Sequence, residues 1–276
     1  MPFIISNKYE IIEQIGEGSF GKVFVGKHLR TNKKIAIKIQ FKSIVNVLQH
    51  EAKIYKQLFD ISGVPIIRNF GCEEGFHYLI LDLYDNCLDK LELNKKEIIY
   101  YLIEAIKILN RIHEKGIIHR DIKPDNFMVK LDEKANNKEN KLFLIDFGLS
   151  KRYINEKNEH IPENKGKKLI GTAKYVSLNV HNGIEASRRD DLESLCYCFI
   201  SLYEKKLKWD NLCKNLKRSS SKETIYNEIK FLKEERNFDI CSEFNTMLIY
   251  VKKLKFDEIP NYNYLIGIFT NLLLIS

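Results

Sequence analysis

The apolar pattern of this chain shifts near residue 85 from mainly strand-like to mainly helical, and that change constrains the fold more than any other feature. From Tyr9 to Ile39 short runs of Val, Ile, Phe and Tyr are broken by glycines and by the turn-like Arg30-Thr31-Asn32-Lys33, the pattern of antiparallel hairpins. Val45, Leu48, Ala52, Tyr55 and Leu58 then recur at helical spacing, and Ser62-Gly63-Val64-Pro65 ends that segment. FHYLILDLY, residues 76–84, reads as another strand. From Glu97 to His113 the spacing is helical, with Ile98, Leu102, Ala105, Ile106, Leu109 and Ile112 in one stripe and Gly116 as a stop. A small sheet with one helix is therefore followed by a mainly helical half, an α+β arrangement with a boundary near residues 82–90. The polar stretch LDEKANNKENK, 131–141, reads as an exposed hairpin tip or loop.

The apolar run from Leu265 to Ile275 is interrupted by Thr270 and Asn271 and is too short to cross a bilayer. MPFIISNKYE lacks the basic region and apolar stretch of a secretory signal, so an intracellular protein without a membrane partner is expected, in cytoplasm or nucleus. Six scattered cysteines without a C-x-x-C pair argue against a zinc site and a disulfide framework. The net charge of +8 suits nucleic acid, an anionic surface or an acidic peptide, and does not choose among them. No groove-reading motif is present, so no nucleic-acid partner is expected.

Four blocks carry chemistry. GEGSFGKV, Gly16 to Val23, follows a strand-like run and continues into β-branched and aromatic residues rather than a helix. A dinucleotide fold would open a helix at the third glycine. The block therefore reads as a hairpin lid whose backbone N–H groups face phosphates. In KKIAIKI the alternation puts Lys34, Ala36 and Lys38 on one face and Ile35, Ile37 and Ile39 on the other. A carboxylate is needed to orient Lys38, and Glu51 in QHEAKIYKQL is the candidate. In IIHRDIKPDNFMV, Asp121 and Asn126 are five apart, so a tight loop lets a carboxylate face an attacking hydroxyl while the amide oxygen binds a metal, with Lys123 neutralising the transferring phosphoryl. In LFLIDFGLS, Asp146 ends an apolar strand and suits Mg²⁺, a hard ion that prefers oxygen.

With these four blocks in this order the chain resembles the eukaryotic protein kinases from about Tyr9 onward. GTAKYVSLNVHNGIEASRRDDLESLCY, HEAKIYKQL, HRDIKPDNFMV and LKFDEIPNYNYL are similar to the casein kinase 1 family, in which Ser-Ile-Asn commonly replaces Ala-Pro-Glu. The resemblance implies a bilobal protein kinase fold as one catalytic domain: a β-rich N-lobe over about 1–82, a hinge over about 82–86, a larger helical C-lobe over about 87–276, and no extra tail domain. It implies a serine/threonine protein kinase that uses ATP and Mg²⁺ on acidic or phosphate-primed protein substrates, acting as a monomer. The runners-up are a catalytically weak kinase-like scaffold and a vaccinia-related or tau-tubulin relative.

The same resemblance assigns roles. ATP would lie against Ile15, Gly16, Gly18, Ser19, Gly21, Val23 and Ala36, with Lys38 on its α- and β-phosphates, Glu51 as the partner of Lys38, and adenine on the backbone after Leu81, along Asp82, Leu83 and Tyr84. Asp121 would accept the hydroxyl proton, Lys123 would sit beside the γ-phosphoryl, and Asn126 and Asp146 would hold Mg²⁺. Asp191 would tie the catalytic loop to a buried helix.

Between Ile154 and Ile170 there is no Ser, Thr or Tyr, so a phosphorylation switch has nothing there to modify and constitutive activity is expected. The resemblance further implies that Arg120, Lys151 and Lys167 form a basic pocket that can hold an anion. Lys174 stands where the family usually carries an arginine that grips a priming phosphate, and three extended residues span roughly 10 Å, enough to leave the acceptor hydroxyl at Asp121. Its partner would be Lys217, Arg218 or Lys222.

Overall fold

The alternation between Tyr9 and Ile39 becomes three strands of a six-stranded antiparallel sheet. Its strands are β1 (Ile4–Ile5), β2 (Tyr9–Gly18), β3 (Gly21–His28), β4 (Lys34–Phe41), β5 (Asn69–Glu73) and β6 (Phe76–Asp82), in the order β1-β2-β3-β4-β6-β5. The computed structural model describes residues 2–18, 21–41, 46–130, 141–216, 222–235 and 239–275. Ile35, Ile37 and Ile39 of β4 join Ile5, Tyr9, Phe76, Tyr78 and Ile80 in a buried cluster, so the opposite face of β4 carries Lys38. Between β4 and β5 lies α1 (Val47–Gln57), opened by Asn46, whose side chain accepts from the Gln49 amide. Val45, Ser19, Lys217 and Arg218 lie outside the described residues, as does the loop expected over 131–141 except for Lys141, which opens a strand.

The chain continues through β7 (Asn86–Cys87), α2 (Lys95–Glu114), β8 (Ile117–Ile118), β9 (Phe127–Lys130), β10 (Lys141–Leu144) and β11 (Lys151–Arg152). It ends in α3 (Leu178–His181), α4 (Arg188–Tyr203), α5 (Asp210–Asn215), α6 (Lys222–Glu234), α7 (Ser242–Lys253) and α8 (Tyr262–Ile275). The described residues thus form a β-rich N-terminal region and a helical C-terminal region with eight α-helices, the expected α+β class. No described helix is long and apolar enough to cross a membrane.

Contacts group the chain into two units, Met1–Asn86 with Met128–Gly148, and Cys87–Phe127 with Leu149–Ser276. The described residues of 128–148, expected in the second half from their place in the sequence, group with the first. The Leu144 amide donates to the Gly63 carbonyl at 2.8 Å and the Asp85 amide to that of Val129 at 3.3 Å. The rings of Tyr84 and Phe143 lie 4.5 Å apart.

In the second unit α4 is central. Thirteen of its residues are buried, from Arg188 to Ile200. A helix enclosed on all sides has no solvent face for its charged first turn, so each charge there needs a partner inside the protein. Arg189 donates to the Leu254 carbonyl at 2.9 Å, and Arg188 to those of Asp257 and to the Tyr153 hydroxyl.

Candidate active site

Both units carry residues singled out above. In the first, β4 and α1 meet at Lys38, whose Nζ lies 2.8 Å from Glu51 Oε2 and 2.8 Å from Asp146 Oδ1. Glu51 is buried and also accepts from the Phe147 amide. Burial pushes its carboxyl up to about 7 despite Lys38, and the nearby Asp146 adds to the rise. Burial would lower the Lys38 ammonium, but Glu51 and Asp146 outweigh it and hold the group above its ordinary value. Asp146 has φ of 66°, the left-handed region that a side chain enters only when its surroundings enforce it. Its amide meets the Tyr55 hydroxyl at 3.1 Å, and Phe147 packs edge-on against Tyr55 at 4.9 Å.

The glycine block forms the end of the β2–β3 hairpin, with Gly16 opposite Val23 and Gly18 opposite Gly21. Gly21 has φ of 147°, and a Cβ there would lie 2.1 Å from the Ile39 carbonyl oxygen, so only glycine fits. Ile15 is exposed beside it. Ala36 pairs with Leu81, and the strand pairing ends at Ile35 with Asp82. Leu83 and Tyr84 follow outside any strand. The Asp82 carboxylate is taken by Arg68, through Nη2 at 2.6 Å and Nε at 3.1 Å, and by Lys33 at 2.7 Å. These partners overcome burial and hold it below the ordinary carboxylate range. The Asp82 side chain is thus engaged by partners of its own unit.

In the second unit the chain leaves β8 and turns at Arg120, with φ of 68°. The turn is enforced by buried Asp191, which accepts from the amides of His119 at 2.7 Å and Arg120 at 2.8 Å and from His113 Nε2 at 3.0 Å. Asp121, 8% exposed, is gripped at both oxygens. Oδ2 accepts from Lys123 Nζ at 2.8 Å and Asn126 Nδ2 at 3.4 Å, while Oδ1 accepts from Thr172 Oγ1 at 2.8 Å. Asn126 Nδ2 also donates to the Asp121 carbonyl at 2.8 Å, and neither bond uses its amide oxygen.

A cavity of about 140 Å³ in the same unit is lined by Arg120, Lys151, Lys167 and Lys168. Glu185 stands among them, its oxygens 3.0 Å from Lys151 Nζ and 3.3 Å from Lys167 Nζ. These ammoniums outweigh burial and keep the carboxyl below its ordinary range. Lys174 Nζ lies 2.9 Å from Asp210 Oδ1, and Lys222 is exposed at the start of α6. The three expected pocket cations are thus brought together, whereas Lys174 pairs with a carboxylate of its own chain.

Comparison with known families matches the protein kinase domain over residues 9–255. The chain belongs to the protein kinase family. Protein kinases act on proteins and in general use ATP with a divalent metal. Among the described residues no three His, Cys, Asp or Glu side chains converge on a metal site. A kinase metal needs no such cage, because Mg²⁺ takes one or two protein oxygens beside phosphates and water. The Asp146 carboxylate and the Asn126 amide oxygen are donors of that kind. Thr172, Glu185 and Asp210 escaped the sequence reading; only their spatial partners reveal them, and no short-range spacing marks any of the three.

Proposed function

We propose that this protein kinase is a serine/threonine kinase of the casein kinase 1 type, transferring the ATP γ-phosphate to Ser or Thr of acidic or phosphate-primed proteins. The observation that supports this best is the Asp121 cluster, in which Lys123 and Thr172 fix opposite oxygens of one carboxylate. A lysine two residues after that aspartate resembles serine/threonine rather than tyrosine kinases. Asp121 orients the acceptor hydroxyl and takes its proton, and Lys123 stands ready to neutralise the transferring group. Lys38, braced by Glu51, would hold the α- and β-phosphates, and the Asn126 amide oxygen and the Asp146 carboxylate would be the donors to Mg²⁺. The ion, when bound, neutralises phosphate charge. The complete set of these residues favours catalysis over a scaffold.

On the acceptor side Lys174 supplies the priming contact. A charge-assisted hydrogen bond is worth about 1.5 to 3 kcal/mol, roughly ten- to a hundredfold in preference. Asp210 competes for the same ammonium and lowers that figure. Arg120, Lys151 and Lys167 form a second anion site, shared with Glu185.

The test is transfer from Mg-ATP to a positional peptide library, with Asp121→Asn and Asp146→Asn as controls. Expected are labelled Ser and Thr three residues after an acidic or phosphorylated position, and a loss of turnover of about a hundredfold or more in both variants with their fold retained. Transfer at the wild-type rate by both variants overturns the assignment.

A further inference from the structure

Helix α6 buries Ile225, Ile229 and Lys233, one stripe at four-residue spacing. The third member is a lysine with no exposed surface. Burial pulls its ammonium down to about 7, against the attraction of Glu193 and with Lys252 adding repulsion. A charge held at that cost must be satisfied by its surroundings, and packing alone would be served better by methionine or leucine.

Its partners are backbone atoms of one segment. Lys233 Nζ donates to the carbonyls of Ala173 at 3.0 Å and Val176 at 2.7 Å, and lies 3.2 Å from His181 Nε2. Burial and that ammonium push His181 down to about 3, so its ring is neutral. The rings of Tyr197 and Trp209 flank the ammonium at 4.9 and 5.0 Å. Trp209 Nε1 in turn donates to the carbonyl of Lys174 at 2.8 Å. Three carbonyls of residues 173–176 are thus held by two buried side chains from outside the segment.

The other end of the segment is held at the Asp121 cluster. Thr172 Oγ1 donates to Asp121 Oδ1 at 2.8 Å. Gly171 passes so close to the catalytic loop that a Cβ would lie 2.4 Å from the Arg120 carbonyl oxygen. The stretch 171–176 is therefore gripped between Asp121 on one side and Lys233 with Trp209 on the other, and it carries Lys174.

We propose that Lys233 is a positioning residue for the acceptor peptide, its buried ammonium acting with the Trp209 indole to fix residues 173–176 beside Asp121. It touches neither ATP nor the acceptor and acts through the segment. This rests on the reading of Asp121 as the residue that receives the acceptor hydroxyl. The consequence is a separation of effects: losing the tether weakens acceptor binding and leaves the ATP side intact.

The experiment is steady-state kinetics of Lys233→Met and Trp209→Phe with peptide and ATP varied separately, together with peptide-free ATP hydrolysis and Asp121→Asn in parallel. Methionine keeps the length of the side chain and removes only the charge and its hydrogen bonds. Expected in Lys233→Met is a rise in peptide KM of about tenfold or more, the loss of one charge-assisted bond, with ATP KM and hydrolysis within about twofold of wild type. Trp209→Phe shifts peptide KM the same way by less. A peptide KM within about twofold of wild type, or equal losses on both substrates, overturns the proposal. If Lys233→Met does not fold, Trp209→Phe decides alone: a raised peptide KM at constant ATP KM supports the tether, and an unchanged one overturns it. Full transfer by Asp121→Asn removes both the reading of Asp121 and the proposal; an inert Asp121→Asn beside an unshifted Lys233→Met removes the proposal only.

Discussion

Lys38 is one ammonium between two carboxylates, and the balance between them depends on pH. Glu51 is pushed up to about 7 from 4.5, so the folded state holds a proton there that the unfolded state has lost. Its contribution to stability is full below the unfolded value and disappears as pH rises through 7. Activity runs the other way, because an ionised Glu51 is needed to brace Lys38. We expect kcat/KM for ATP to climb with pH through an apparent pKa near 7, and Glu51→Gln to be slower with that limb flattened. A wild-type profile flat between about pH 5.5 and 8.5 contradicts this. Lys174 shows the same competition in a pair. Asp210 Oδ2 is fixed by the Leu207 amide at 3.0 Å, which leaves Oδ1 against the ammonium. Asp210→Asn should raise the ratio of kcat/KM for a phosphopeptide over its unphosphorylated twin by roughly tenfold, and Lys174→Ala should abolish the gain; an unaltered ratio in Asp210→Asn disproves the competition. Lys38, Asp121, Asn126 and Asp146 were legible in the sequence because each sits in a short block whose neighbours announce it, an alternating strand for Lys38 and a tight loop or turn for the other three. Thr172 was not, being 51 residues from Asp121. Lys233 left a trace, a lysine on the stripe of Ile225 and Ile229, but charge runs on helices usually face water.

At the scale of elements, the first turn of α4 anchors the segment in which Ser177-Leu178-Asn179 replaces Ala-Pro-Glu. Ser177 Oγ donates to Asp190 Oδ1 at 2.5 Å and accepts from the Val180 amide at 3.1 Å, so one hydroxyl caps α3 and ties it to α4. Asn179 Nδ2 reaches the same Asp190 oxygen at 3.3 Å, and Glu193 accepts from the Leu178 amide at 2.9 Å. Burial pushes Asp190 up to about 6, with Ser177 opposing the rise. Asp190 therefore lowers the stability of the fold as pH rises through 6, and Ser177 limits that loss. Ser177→Ala should cost about 1 to 3 kcal/mol at neutral pH, read from denaturant midpoints, and less below pH 6, where Asp190 is protonated and needs no compensation. A variant as stable as wild type at pH 7.5 or so would show that the hydroxyl is not an anchor. The helices themselves were readable from their stripes, but their ends were less so. α2 begins at Lys95, two residues before the expected Glu97, because Asn94 and Glu97 form a reciprocal capping box that the apolar period does not register. In sequence Asp191 marks the charged start of α4 as part of a buried helix, whereas the contacts of Asp190 and Glu193 with residues 177–179 appear only in the fold.

For the whole molecule the deciding question is what orders residues 153–185. Backbone bonds stitch this stretch to the rest of its unit and to itself: Tyr153 to the Gly116 carbonyl at 2.9 Å, Ile161 to that of Tyr153 at 2.8 Å, Lys167 to that of Gly183 at 2.9 Å and Glu185 to that of Asn164 at 2.8 Å. Side chains reinforce it, with Glu185 between Lys151 and Lys167 and Arg189 donating to Glu163 at 3.3 Å. An activating phosphate elsewhere supplies a buried negative charge to a set of basic residues. Here Glu185, with 5% of its side chain exposed, already supplies one, and no hydroxyl lies between Ile154 and Ile170 to receive another. The sequence exposed the missing hydroxyls and the cations but not the carboxylate, because Glu185 meets Lys151 only after the chain has folded. Bacterially produced protein treated with phosphatase should therefore phosphorylate a peptide as fast as untreated protein. Glu185→Gln, which keeps the shape and removes the charge, should lose activity by about tenfold, the worth of one charge-assisted contact. A stripped sample that is inactive and regains its rate on phosphorylation would show that order comes from a phosphate. A Glu185→Gln variant at full rate would show that the backbone bonds suffice without the carboxylate.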